Sequence, residues 1–143
     1  MKVLVMYAEE FNYHPAQKNL EEADDVNVGA SFLDAILAFI QVEENDEQYD
    51  VKSREKKLVN HLKWTARKNN CKNIVLHSFA HLSESKASVD FTKAIFNEAE
   101  KRLQNGGFSA AQTPFGYFLD LEIKAPGHSL ARGRAALGHE RRQ

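Results

Sequence analysis

The sequence predicts an α/β fold: a mixed sheet of about five to six strands with two helices, in one domain. Two short apolar runs rich in β-branched residues, Val3–Met6 and Ile74–Leu76, read as sheet strands. Two longer segments, about Ser53–Lys68 and Lys86–Leu103, repeat their apolar residues at helical spacing. Their order, with short strands following the second helix, excludes an all-α or all-β layer plan. The 143 residues, 43% hydrophobic and 27% charged, match one soluble globule with a real core.

In chain order, Lys2–Tyr7 is a continuous apolar strand of the kind buried on both faces. Residues 8–31, which include Asn12, Pro15, Asn27 and Gly29, keep no period and read as an irregular excursion. Ala35–Val42 fits either a helical stripe or a buried strand; the strand is preferred because Glu43–Asp46 stops it. Val51, Leu58, Leu62 and Ala66 define the first helix, with Trp64 read as packing beside that stripe. Asn69 and Asn70 end it before the strand at Asn73.

The second helix buries Val89, Ala94, Ile95, Ala99 and Leu103. Ser83 or Ser85 is expected to cap its start, and Asn105-Gly106-Gly107 to close it. Phe108–Gln112 is a short strand. Tyr117–Ile123 alternates imperfectly as a partly exposed antiparallel strand, and after Ala125-Pro126-Gly127 a last edge strand is expected over His128–Arg132.

Nineteen Lys and Arg against twenty Asp and Glu leave a net charge of −1, so attraction to nucleic acid requires a local patch. Acid concentrates in residues 9–50. From Lys124 onward Lys124, Arg132, Arg134, Arg141 and Arg142 face one acid, Glu140, so the end of the chain either meets a phosphate backbone or simply stays solvated. No window is long and apolar enough for a membrane span, and the apolar start is too short for a signal peptide. The single Cys71 excludes an internal disulfide and a cysteine-pair metal site. A reducing cytoplasm and no membrane partner are expected.

Dinucleotide, nucleotide and zinc signatures are absent, and neither a cofactor nor a metal is expected. His77 and His81 fall at the carboxyl end of a probable central strand, where open α/β sheets bind ligands. On an emerging strand their spacing does not put them on one face. Two further segments join glycine to aromatic or polar groups: Pro114–Phe118, where Gly116 would let backbone approach a ligand, and Gly127–Leu130. A pocket floored by residues 73–79 and rimmed by both is the expectation.

These segments carry a resemblance. F-A-H-L-S at Phe79–Ser83, P-F-G-Y-F at Pro114–Phe118 and G-H-S-L-A at Gly127–Ala131, with M-K-V-L-V at the start and A-F-I-Q-V-E at Ala38–Glu43, are together similar to the amino-terminal editing domain of archaeal-type threonyl-tRNA synthetase. The resemblance covers about residues 1–132 and leaves 133–143 as a basic C-terminal tail. It implies a D-aminoacyl-tRNA deacylase-like fold, a homodimer, and hydrolysis of serine wrongly esterified to threonine tRNA, helped by the tRNA 2′-hydroxyl. Removal of D-amino acids is implied as well. The implied partners are the tRNA 3′ end and a threonyl-tRNA synthetase catalytic body.

By the same resemblance, His81 is the pocket histidine with a catalytic role. Phe115, Gly116, Tyr117, Phe118 and His128 bind substrate, and Lys124, Arg132 and Arg134 are tRNA contacts. Three positions depart from the family pattern: Phe118 replaces a tyrosine, Leu119 the catalytic-site lysine, and Arg132 an acid. Leu119 neither orients substrate nor stabilises developing charge. Lys124 lies on the opposite face of its strand and is a poor substitute. Three readings follow: an aminoacyl-tRNA hydrolase, a non-catalytic tRNA- or protein-binding relative, and an unrelated small-molecule enzyme or structural dimer.

Overall fold

A computed structural model describes residues 1–138. Six strands, β1 (Lys2–Lys18), β2 (Ala30–Gln41), β3 (Asn73–Ser78), β4 (Ser109–Gln112), β5 (Tyr117–Lys124) and β6 (Arg132–Ala136), form one mixed sheet with two helices, α1 (Val51–Lys68) and α2 (Val89–Asn105). The sheet order is β4-β3-β2-β1-β5, and β6 also pairs with β1. The β2–β3 and β3–β4 pairs are parallel, whereas every pairing of β1 is antiparallel.

The long first strand corrects the expected excursion, whose irregular part shrinks to residues 19–29. Residues 8–18 lack a two-residue apolar period because their buried positions, Ala8, Phe11 and Pro15, fall three and four apart among polar neighbours, and backbone pairing holds the rest. One edge of β1 is shared, with β6 along Lys2–Met6 and β5 along Glu10–Lys18. Pairing with β2 ends at Tyr13, so Pro15, which has no N–H to donate, sits where only the β5 side is paired. A bulge between Pro15 and Gln17 faces Leu119 and Phe118.

The ambiguous segment is a strand, as preferred: between β1 and β3, Ala35–Gln41 is buried on both faces. Ile36, Ala38 and Ile40 meet Val3, Val5, Ile74, Leu76 and the inner sides of α1 and α2. Ala35, Leu37 and Phe39 meet Ala8, Phe11 and Val75 on the other face. Asp50 caps α1 by accepting from the Ser53 N–H at 2.8 Å. Ser88, rather than Ser83 or Ser85, caps α2, because Ser83 donates to Glu43 and Ser85 accepts from the Glu44 N–H. After α2, Gly107 takes the left-handed conformation, φ +90°, that glycine adopts without strain.

The chain end departs from expectation. His128–Arg132 is not a strand; Ser129–Ala131 form a 3-10 turn, and the edge strand follows at Arg132–Ala136. The structured chain therefore continues past residue 132: fully buried Arg54 donates to Asp46 at 3.1 Å and to the Leu137 carbonyl at 3.3 Å. Arg141 and Arg142 lie outside the described residues. No helix among the described residues is long and apolar enough to cross a membrane.

Candidate functional site

The parallel strands β2, β3 and β4 all point their carboxyl ends at one cavity of about 470 Å³. Its walls come from Ile40–Val42, from His77–His81, from the approach and first turns of α2 (Lys86, Ala87, Val89, Thr92), and from Pro114–Leu119 with Leu121. Asn19 and Leu20 complete it. A smaller hollow of about 220 Å³ at the opposite end of β3 is lined by no charged group. The larger cavity lies where parallel α/β sheets leave backbone ends and a helix start to meet a ligand.

His77 forms a buried wall, its Nδ1 2.9 Å from the Thr113 hydroxyl and its ring edge-on to Phe39. Burial pushes its pKa down to about 4 from the usual 6.5, so it is neutral near pH 7. Because the unfolded chain binds this proton more readily, stability from His77 is full above about pH 6.5 and is lost as pH falls toward 4, by at most about 3 kcal/mol. Thermal unfolding of the parent and His77→Gln at pH 7 and pH 4.5 should show a smaller acid loss in the variant. His81 occupies the exposed turn after β3, its ring 5.2 Å from that of Phe79.

Position 41 was read from sequence only as the end of an apolar strand, yet Gln41 holds that turn in place. Although only 4% exposed, it uses its full amide capacity. Oε1 accepts from the Leu82 and Ser83 N–H groups at 2.7 and 2.8 Å, and Nε2 donates to the Ser83 and Ser85 carbonyls, both at 2.9 Å. Lys86 was also missed. It is the one charged side chain among the described lining residues, and nothing in a helix-start lysine announces this.

The opposite wall is fastened by Tyr117, whose hydroxyl donates to the Asp24 carbonyl at 2.7 Å and accepts from the Val26 N–H at 2.9 Å. Gly116 has φ +85°, and a Cβ there would stand 2.8 Å from Ala23 Cβ and 3.0 Å from Leu20 Cβ. Its missing side chain admits the 19–29 loop on one side, while Gly116 itself also lines the cavity. Phe115, Tyr117, Phe118 and Leu119 all line the cavity, so the leucine stands inside it.

The remaining expected residues lie elsewhere. Gly127–Leu130 is absent from the cavity wall, and exposed His128 uses its carbonyl to accept from the Ala131 N–H. Lys124 faces Glu9 at 3.8 Å. Arg132 donates to the Pro126 carbonyl at 3.1 Å, and Arg134 is exposed two residues further along β6. Buried Cys71 donates to the Asp34 carbonyl, and burial raises its thiol pKa, opposite to what a nucleophile needs. No group of three or more metal-ligating side chains occurs among the described residues.

Comparison with known proteins agrees with this architecture. Residues 1–135 match the family model described as the archaea-specific editing domain of threonyl-tRNA synthetase. A threonine–tRNA ligase of Thermococcus sibiricus is 31% identical over 134 residues, covering 92% of this chain and 21% of the relative. One from Methanococcus maripaludis is 31% identical over 144 residues, covering all of this chain and 23% of the relative. The chain thus spans about a fifth of the length of the curated relatives it matches. A solved structure of c-Myc DNA unwinding element binding protein superimposes with a TM-score of 0.60 at 10% identity, covering 96% of this chain and 99% of that one. This likeness shows the fold, which is D-aminoacyl-tRNA deacylase-like. The chain belongs to the family of archaea-specific editing domains of threonyl-tRNA synthetase.

Proposed function

We propose that the cavity receives the 3′-terminal aminoacyl group of a mischarged tRNA and that the chain hydrolyses its ester, with seryl-tRNA(Thr) as substrate. The observation that carries this reading is the meeting of His81 with Pro114–Leu119, distant in sequence, around one cavity at the strand ends. A volume of about 470 Å³ suits a small aminoacyl group and its adenosine.

In hydrolysis, water oxygen adds to the ester carbonyl, the ester bond breaks, and the tRNA 3′-oxygen leaves with a proton. In this reading His81 orients that water or the terminal 2′-hydroxyl, which assists the proton transfer. Lys86 supplies the cation that Leu119 does not, stabilising charge on the carbonyl oxygen. Phe115, Tyr117 and Phe118 form the apolar wall against the substrate.

A second reading, a tRNA- or protein-binding relative without turnover, is favoured by the apolar Leu119 inside the cavity. Deacylation of Ser-tRNA(Thr), with Thr-tRNA(Thr) and a D-aminoacyl-tRNA alongside, separates the two. Serine release at substoichiometric protein, lost in His81→Ala, is expected. Measurable tRNA binding without turnover on any of the three substrates would establish the second reading instead.

The proposal extends to a homodimer and to docking on a threonyl-tRNA synthetase catalytic body, the latter supported by the relatives' greater length. Arg132 and Arg134, exposed on one side of β6, and Lys124 are proposed tRNA contacts. His128 is proposed to act at the bound substrate only if a second copy brings it there, since it is not on this chain's cavity wall.

A further inference from the structure

The outward face of α1 carries charges of one sign, unlike that of α2. With about 100° per residue, Lys52, Lys56, Lys57, Lys63, Arg67 and Lys68 fall within an arc of about 160°, together with Ser53, Asn60 and Trp64. That arc contains no acid. Glu55, the one acidic residue of the helix, points inward, is 2% exposed and pairs with Arg102. On α2 the exposed charges are mixed instead: Asp90, Lys93, Glu98 and Lys101, the last 3.9 Å from Glu98.

Trp64 sits inside this cationic face. It was expected to pack beside the core stripe but is 59% exposed, with Lys68 Nζ 4.1 Å from its ring centroid and His61 6.3 Å away, stacked. The stripe is filled by Leu58, Leu62, Thr65 and Ala66, which leaves Trp64 no place in the interior. A large apolar ring held in solvent among six cations satisfies no folding requirement.

We infer that this face of α1 docks RNA, with its cations on the phosphate backbone and Trp64 against a base or ribose. The inference rests on the tRNA reading above and assigns it a second contact surface. Charge complementarity selects a polyanion, and an exposed aromatic among the cations suits RNA, whose unpaired bases stack on such rings. A lipid surface fits less well, because the apolar side of α1 is committed to the core and Trp64 is the single large apolar group facing outward. Lys52 and Arg67 lie fifteen residues apart, about 22 Å along the helix, which spans several phosphates. The amino-terminal end of α1 follows the 3-10 turn after β2, whose carboxyl end lines the cavity.

The test is binding of uncharged tRNA(Thr), by fluorescence anisotropy over a salt series, to the parent, to a triple variant (Lys56→Gln, Lys63→Gln, Arg67→Gln), to Trp64→Ala, and to Lys101→Gln as control. Lys56, Trp64, Arg67 and Lys101 are exposed and Lys63 is half-buried beside Gly106, and circular dichroism checks that the variants stay folded. The triple variant should bind at least about tenfold more weakly at low salt. Its slope of log affinity against log salt should fall by about two to three, from three lost phosphate contacts. Trp64→Ala should weaken binding with little change in slope, and Lys101→Gln should match the parent.

Unchanged affinity and slope in the triple variant would overturn the inference. So would parent protein that binds phosphatidylserine vesicles but not tRNA. Seryl-tRNA turnover separates the two proposals: binding that depends on α1 without turnover keeps this surface and removes the hydrolase reading. Turnover with an unchanged KM in the triple variant keeps the hydrolase and removes this surface.

Discussion

Replacing Gln41 with leucine is expected to lower deacylation about 100-fold and to destabilise the protein by about 1–3 kcal/mol. Leucine keeps the volume but none of the four hydrogen bonds to Leu82, Ser83 and Ser85. Solvent reaches part of this loop, so water replaces some of the lost bonds and the stability loss stays moderate. The rate suffers more, because the released segment directly follows His81, and a displacement of about 1 Å is enough to misalign a reacting group. Gln41→Glu keeps the two acceptor bonds but loses both donors, and should fall between parent and Gln41→Leu. Amide exchange at Leu82 and Ser83 reads the cause directly. If both amides stay protected in Gln41→Leu while turnover holds within a few fold, the clamp has no functional role.

Lys86→Ala is expected to reduce kcat by a factor of about 100 with a smaller change in KM, since the ammonium acts on charge that develops during reaction. It is the one cation among the described residues lining the cavity. The informative partner is Leu119→Lys. Added to Lys86→Ala it should restore part of the lost rate, because Leu119 also lines the cavity and a lysine there reaches the same space. Full turnover in Lys86→Ala would exclude the role given to this residue. The pair separates a displaced cation from a pocket that works without one.

Much of the architecture was legible because it depends on local pattern. The continuous apolar runs at β1 and β3 and the helical spacing of α1 and α2 appear at the expected positions. So do the strand Ala35–Val42 and the alternation of β5, each within a few residues. Resemblance of ordered motifs added the family, which the match over residues 1–135 shows. The pocket was legible in part: a strand-end histidine and a glycine-aromatic turn do meet at one cavity, whereas Gly127–Leu130 does not join them.

What sequence left unread has a common physical origin. Residues 8–18 carry no two-residue period because their buried side chains, Ala8, Phe11 and Pro15, are spaced irregularly, and pairing with β2 and β5 rather than alternation makes them a strand. Gln41 looks like the last polar residue of a strand until the 82–85 loop folds over it. Trp64 is adjacent to the apolar stripe along the chain, but the 100° turn per residue puts it on the opposite face of α1, where it is 59% exposed. Lys86 and Leu119 are separated by 33 positions and share a cavity only because α2 and β5 start beside the same strand ends. Periodicity, caps and turn residues are local and act within a few residues, so the sequence by itself determined the elements and the family. Which polar groups face one another is set by long-range pairing and by the angle at which helices cover the sheet. The tertiary structure alone decided the Gln41 clamp on the segment after His81 and the cation in the cavity.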